Sequence, residues 1–256
     1  SALVLNDNNI TAINFNDNVP DVKACTFLRE KFKQIDLVMV NYNSAGPYPS
    51  CFDNLNVKEK KKEHNRISMR NLEYLCNIMP ALKPKSILTS MGSYILGGKQ
   101  SYKNEYLGTT TGDECAVYLK ENLKIDTNIF CLRDNQTFDL SAQKQLDKYE
   151  KIDLDEMKNY IRSIKEFKYD YETDNEPENQ VLCKDTELAA EKLLERLKRF
   201  HLEFKTNVFI EINEKQIPII NGEDSNRKLY CKMDNKLLRR ILDRKAHWNN
   251  AEIGAH

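Results

Sequence analysis

The sequence carries no charge excess: 39 Lys and Arg balance 39 Asp and Glu over 256 residues. The basic surplus typical of a nucleic-acid binder is therefore missing. No apolar run nears the roughly 20 residues needed to span a bilayer. The first residues, Ser1-Ala-Leu-Val-Leu5, read as a strand rather than a signal peptide. The seven cysteines are odd in number and form no CxxC pair. Cys76, Cys115 and Cys131 fall in apolar patterns, so the expectation is a reduced, cytoplasmic chain with thiols as small core residues. His64, His201, His247 and His256 are the four histidines, and no two share metal-ligand spacing. Gly92 and Gly97-Gly98 follow a strand without forming GxGxxG or a P-loop, which disfavours a nucleotide cradle. What remains is ordinary for a soluble globular protein: 40% hydrophobic and 30% charged residues, enough for one large domain or two small ones.

Strands and helices alternate through the first part. Residues 2–6 and 10–15 predict a hairpin turning at Asp7-Asn8-Asn9. Residues 21–33 predict an amphipathic helix entered at Asp21 after Pro20. Ile35 to Val40 is a short apolar run of the kind found in buried parallel strands. Gly46, Pro47 and Pro49 make residues 41–52 a loop. Residues 57–82 carry Leu72, Leu75, Cys76, Met79 and Leu82 on one helical face. Ser86-Ile-Leu-Thr89 and Ile129-Phe-Cys-Leu132 are further strands, and Thr111-Gly-Asp-Glu114 is a capping box for a helix reaching Leu123. This alternation predicts an α/β layered sheet.

The later part reads differently. Residues 153–166 predict a short helix and the acidic stretch 169–180 an exposed linker. Residues 185–204 predict a helix with Ala190, Leu193, Leu194, Leu197 and Phe204 on one face. Residues 208–212 and 217–220 predict a hairpin around Asn213-Glu-Lys215, with a third strand over 229–233. Asp234 is placed to cap a last helix carrying Leu237, Leu238, Ile241 and Leu242. The pattern is a smaller α+β lobe.

Three stretches have the residue types for chemistry. Asp17 ends a strand in a cluster of Asn and Asp. There a carboxylate suits Zn²⁺, Fe²⁺ or Mn²⁺, while Asx hydrogen bonds would make the same cluster a plain turn. The loop after the 35–40 strand offers Tyr42, Ser44, Tyr48 and Cys51 where α/β sheets form ligand clefts. No base is paired with Ser44 or Cys51, so nucleophilic catalysis is disfavoured, and the prolines also suit a merely rigid turn. The basic run Lys58 to Lys62, continued by Arg66 and Arg70, opposes the helix macrodipole. Lys62, Arg66 and Arg70 are the candidates for meeting a substrate phosphate, and a solvated helix face is the plain alternative.

Ile13-Asn-Phe-Asn-Asp17, Ile35-Asp-Leu-Val-Met-Val40 and Ser44-Ala-Gly-Pro-Tyr-Pro-Ser-Cys-Phe52 come in an order that resembles the second half of metallo-β-lactamase-fold proteins. More narrowly, it resembles the branch of CMP-N-acetylneuraminate monooxygenase-like hydroxylases of nucleotide-linked amino sugars. Lys58 to Leu82, Ser86 to Tyr94 and Leu132 to Leu140 are similar to later segments of that family. His247-Trp-Asn-Asn-Ala-Glu-Ile-Gly254 resembles part of its C-terminal, sterol-carrier-like extension. The likeness covers most of the chain, more specifically in the first 140 residues than between 141 and 230.

The resemblance implies half of an αββα sandwich over residues 1–145, a helix and acidic linker over 146–183, and an incomplete sterol-carrier-like α+β lobe over 184–256. It implies a metal-dependent hydrolase or oxygenase component acting on a nucleotide-sugar or similar polar small molecule, with Zn or Fe in the complete protein. The family's His-x-His-x-Asp-His motif is not in this chain, and Met91-Gly-Ser-Tyr94 stands where many such hydrolases place a late His. Asp17 is then the one ligand carried over, against the three that a catalytic metal usually takes. The expectation is a fragment, inactive alone, whose partner is the missing N-terminal half of the domain. The alternative is a non-catalytic binding or scaffold module that kept the fold without its metal. Neither reading needs nucleic acid or a membrane span, and both leave homo-oligomerisation open. A half-sandwich would leave one sheet face uncovered unless something packs on it.

Overall fold

The computed structural model describes residues 2–7, 9–89, 92, 94–252 and 254. Asn8 of the first turn, Met91 and Ser93 of the 91–94 segment, Ile253 and His256 lie outside the described residues. The chain is mixed α/β and divides into two compact units, residues 1–97 with 101–165 and residues 98–100 with 166–256.

The first unit is built on a five-stranded sheet. Its strands are β1 (Leu3–Asn6), β2 (Thr11–Asn14), β3 (Leu37–Val40), β4 (Ser86–Thr89) and β5 (Asn128–Cys131), in that spatial order. β1 and β2 form the expected antiparallel hairpin, and the Asp7 carboxylate closes its turn by accepting from the N–H groups of Asn9 and Ile10. The remaining neighbours pair parallel.

Each parallel step is bridged by a helix: α1 (Val22–Phe32), α2 (Val57–Leu82) and α3 (Gly112–Asn122). Side chains start all three. Asp21 accepts from the Ala24 N–H, while Asn56 with Glu59 and Thr111 with Glu114 form capping boxes. The steps all run the same way along the sheet, so right-handed crossovers stack the helices on one face. Ile13, Val38, Val40 and Ile87 meet Leu72, Leu75, Met79 and Leu82 of α2 there, in one core with Cys115 and Leu119 of α3. Each such side chain contributes about 1.5–3 kcal/mol by leaving water.

The other face of the sheet is covered unevenly. A small hairpin, β6 (Phe138–Asp139) with β7 (Lys144–Gln145), lies over β4 and β5: Phe138 packs on Phe130, and Gln143 accepts from the Ser86 hydroxyl. Over β1 the apolar side chains on this face stay outward, with Leu3 58% and Leu5 62% exposed. The helix α4 (Leu154–Ser163) starts at an Asp153 cap and has no buried residue.

The second unit holds α5 (Asn179–Arg199), β8 (Thr206–Ile212), β9 (Lys215–Ile220), β10 (Asp224–Lys232), α6 (Asn235–Leu242) and α7 (Trp248–Glu252). β9 pairs antiparallel to β8 through a turn in which Asn213 and Glu214 both take positive φ. β10 pairs parallel to the other side of β8 and is longer than the strand expected over 229–233. Asp234 caps α6 as expected.

Two expectations fail in this unit. The helix begins six residues before 185 and buries Leu182, Cys183, Thr186 and Ala190. Leu193 is exposed, and Phe204 lies beyond the helix end, so the packed face is the N-terminal half of α5. The acidic stretch 169–180 is not a free linker either. Tyr171 is 5% exposed within a short 3-10 turn, and Asp174 pairs with Arg240 of α6. The division between units falls at Lys165, inside the segment 146–183. Among the described residues, no helix is long and apolar enough to cross a membrane.

Candidate functional site

The carboxyl ends of β2 to β5 form one rim of the first unit's sheet, the place where open α/β sheets hold ligands. Asp17 lies on this rim, exposed, just past β2. The residues around it build a turn: the Asn14 side chain accepts from the Asn16 N–H at 2.8 Å, and Asn18 donates to the Phe15 carbonyl. Asn16 takes φ 48°, which Asn tolerates through such local bonds. Among the described residues no group of three His, Cys, Asp or Glu side chains is placed to hold a metal ion, around Asp17 or elsewhere.

The loop after β3 scatters its candidate residues. Tyr42 turns into the core, Ser44 is exposed, and Tyr48 and Cys51 are half-buried. The Tyr48 hydroxyl donates to Glu63 at 2.8 Å, and Arg66 holds the same carboxylate at 2.6 Å. Glu63 is the main cause that pushes the Tyr48 pKa up, and Arg66 the main one that pulls the Glu63 pKa down. Arg66 is therefore already neutralised locally. Lys62 and Arg70 are exposed on the same stripe of α2, each four residues from Arg66, and Arg70 contacts the side chain of Asn71. The Cys51 thiol accepts from Lys103 at 3.6 Å.

A residue outside the expected set ties this rim together. Asn43 is buried, and its carboxamide donates to the Thr110 carbonyl at 2.8 Å and accepts from the Thr110 N–H at 2.9 Å. The segment that leads into α3 is thereby fixed to the loop after β3.

Beside that segment opens a cleft of about 1210 Å³, lined by the N-terminal half of α2, residues 109–111, α3, the end of β5 and residues 145–154. None of Asp17, Tyr42, Ser44, Tyr48 or Cys51 lines it. On one side Asp113, nearly fully buried, accepts from the Tyr149 hydroxyl and from the Ile152 N–H at 2.8 Å, with Arg133 at 3.9 Å. Burial, then the Asp113 carboxylate, push the Tyr149 pKa to about 12, so the phenol stays protonated and keeps donating. On the other side stand His64 and, one helical turn on, Ser68. His64 Nδ1 accepts from the Gly108 N–H at 2.9 Å. Burial lowers the His64 pKa against the opposing pull of Glu114, which keeps the imidazole neutral near neutral pH.

A neutral imidazole with Nδ1 accepting carries its proton on Nε2. His64 therefore cannot take a proton from Ser68, and Glu114 is spent on the cap of α3. The pair is not a nucleophile with its base. The i, i+4 spacing of His64 and Ser68 is visible in the sequence. Their meeting with residues 108–111 and 113 is not, because it closes over some forty residues. No family model, curated protein or solved structure matches this chain.

Proposed function

We propose that residues 1–145 form the second half of a metallo-β-lactamase-like αββα sandwich, and that the chain is the C-terminal portion of a metal-dependent hydrolase or oxygenase component. Its substrate in this reading is a nucleotide-sugar or a similar polar small molecule. The supporting observation is the uncovered edge of the second sheet face: three helices stack on one side of the sheet, while on the other Leu3 and Leu5 of β1 stand outward, beside Leu37 and Leu88, which are buried. Apolar side chains gathered on an open sheet face suit a second layer. A complementary half-domain is the occupant this reading requires, and residues 184–256 correspond in it to the sterol-carrier-like lobe.

Zn or Fe does not fit the residues of this chain by themselves. Asp17 is a single exposed carboxylate in a turn held by its own neighbours, whereas a catalytic metal takes about three protein ligands. No metal-dependent step is derived from it. The complementary half would supply the remaining ligands, and Asp17 would contribute one.

Metal analysis of the protein as its gene encodes it, wild type beside Asp17→Ala, tests this. Zn or Fe at about one or more per chain in wild type, lost in the variant while the melting curve is kept, supports the reading. Folded wild-type protein without metal overturns it and leaves a binding or scaffold module, the reading that the isolated Asp17 favours.

A further inference from the structure

We propose that the cleft between α2 and α3 binds an uncharged small molecule through a carbonyl or ring-nitrogen acceptor placed on the Nε2–H of His64. The site goes beyond the metal reading and does not depend on it.

The donor is built, not incidental. Gly108 has φ 71°, and a Cβ there would meet the Ile67 side chain at 3.2 Å. The glycine lets the backbone approach α2 closely enough for its N–H to reach Nδ1 of His64. That bond fixes the tautomer and leaves Nε2–H as the one ring group still able to donate. Ser68 lies 6% exposed on the same helix face, and its buried hydroxyl has no hydrogen-bond partner. An orphaned buried hydroxyl is destabilising, and a ligand acceptor or donor reaching it would recover that loss.

The rest of the lining argues for a neutral, partly apolar guest. Leu72 and Ala116 are buried beneath the cleft, and Met69 and Val117 stand exposed on its two helices. Two acids of the lining are occupied: Glu114 in its cap and Asp113 by Tyr149 and Ile152. Lys120, Glu121 and Lys151 at the exposed rim carry both signs, so no field of one sign selects an ion. The combination of an apolar floor and a few fixed polar groups is that of a small-molecule site.

Benzamide tests this, with benzoate and toluene as charged and apolar counterparts of the same ring. In proton–nitrogen NMR of wild-type protein, benzamide should give saturable shifts at the His64 ring and the Ser68 and Val117 amides. Benzoate and toluene should bind several-fold more weakly. His64→Phe keeps the ring volume and removes the donor, so it should weaken benzamide about 2- to 10-fold, the worth of one hydrogen bond, and leave toluene unchanged. Benzamide shifts absent from these residues up to its solubility limit would overturn the proposal. So would equal binding of benzoate, or full benzamide affinity in a folded His64→Phe protein.

Discussion

Asn43 makes with its side chain the pair of hydrogen bonds to Thr110 that a neighbouring strand would make with its backbone: 2.8 Å to the carbonyl and 2.9 Å from the N–H. Sixty-seven residues separate the two. The contact locks the loop after β3 to the entry of α3 and so fixes one wall of the cleft. Removing the carboxamide leaves both Thr110 groups without these partners in a partly buried setting. Asn43→Ala should therefore destabilise the protein by about 1–3 kcal/mol in urea unfolding. Asn43→Asp keeps the shape but turns a carboxylate oxygen toward the Thr110 carbonyl, and it should be no better than alanine. A neutral effect of both substitutions would remove this contact from the account.

At the opposite end of the strands, Asp36 is buried and accepts from the Thr11 N–H at 2.9 Å, the Gln34 amide at 2.9 Å and Lys85 at 2.8 Å. Burial alone would raise its pKa; Lys85, Thr11 and Gln34 outweigh it and hold the carboxyl below its ordinary range. A carboxyl whose folded pKa is depressed contributes stability that is present above the unfolded pKa of about 3.9 and lost as pH falls through the folded value. Asp36→Asn should lower stability near pH 7 by roughly 1–3 kcal/mol and flatten the loss between about pH 4 and lower pH. Because Lys85 is half-exposed, salt should weaken part of this effect. Acid-unfolding curves of equal steepness for the two proteins would contradict it.

Gly92 takes φ 140°, and a Cβ there would sit 2.8 Å from Oδ1 of Asn41. Both the backbone conformation and the contact penalise a side chain. Gly92→Ala should cost on the order of 1–3 kcal/mol, measured by thermal unfolding. Ser44→Ala, on the exposed loop nearby, should stay within about 0.5 kcal/mol.

Leu3 and Leu5 lie on the open sheet face, more than half exposed. Replacing both with Ser should leave the stability of this chain within about 0.5 kcal/mol per site. It should also reduce anilinonaphthalene sulfonate fluorescence, which reports exposed apolar surface. A large loss of stability would mean that the two leucines already support the fold, and the open face could no longer stand for a missing layer.

Much of the local structure is legible in the sequence because its causes are local. Asp21, Thr111 with Glu114, Asp153 and Asp234 start helices through side chains within three residues, and the 57–82 helix has the bounds its apolar spacing predicts. The misreadings arise where the partner is distant. The apolar residues of 185–204 satisfy helical periodicity on more than one face, whereas the cluster with the sheet takes Leu182 and Cys183 from just before that stretch. The acidic composition of 169–180 conceals Tyr171, which is buried against α6 residues far along the chain. Tyr42 turns into the core, of which a tyrosine in a loop gives no local sign, and the contacts of His64 and Asn43 are equally hidden because their partners are 44 and 67 residues away.

Composition and short-range chemistry determined by themselves that this chain is mixed α/β, where most of its elements begin, and that Asp17 stands in a cluster of turn-forming side chains. Tertiary structure alone decided which edge of the sheet is left uncovered, which histidine tautomer faces the cleft and which carboxylates are already occupied. The physical reason is range. Caps and periodicity act within a turn or two of chain, whereas a parallel sheet joins strands tens of residues apart, and the groups that meet at its rim carry no local mark of one another.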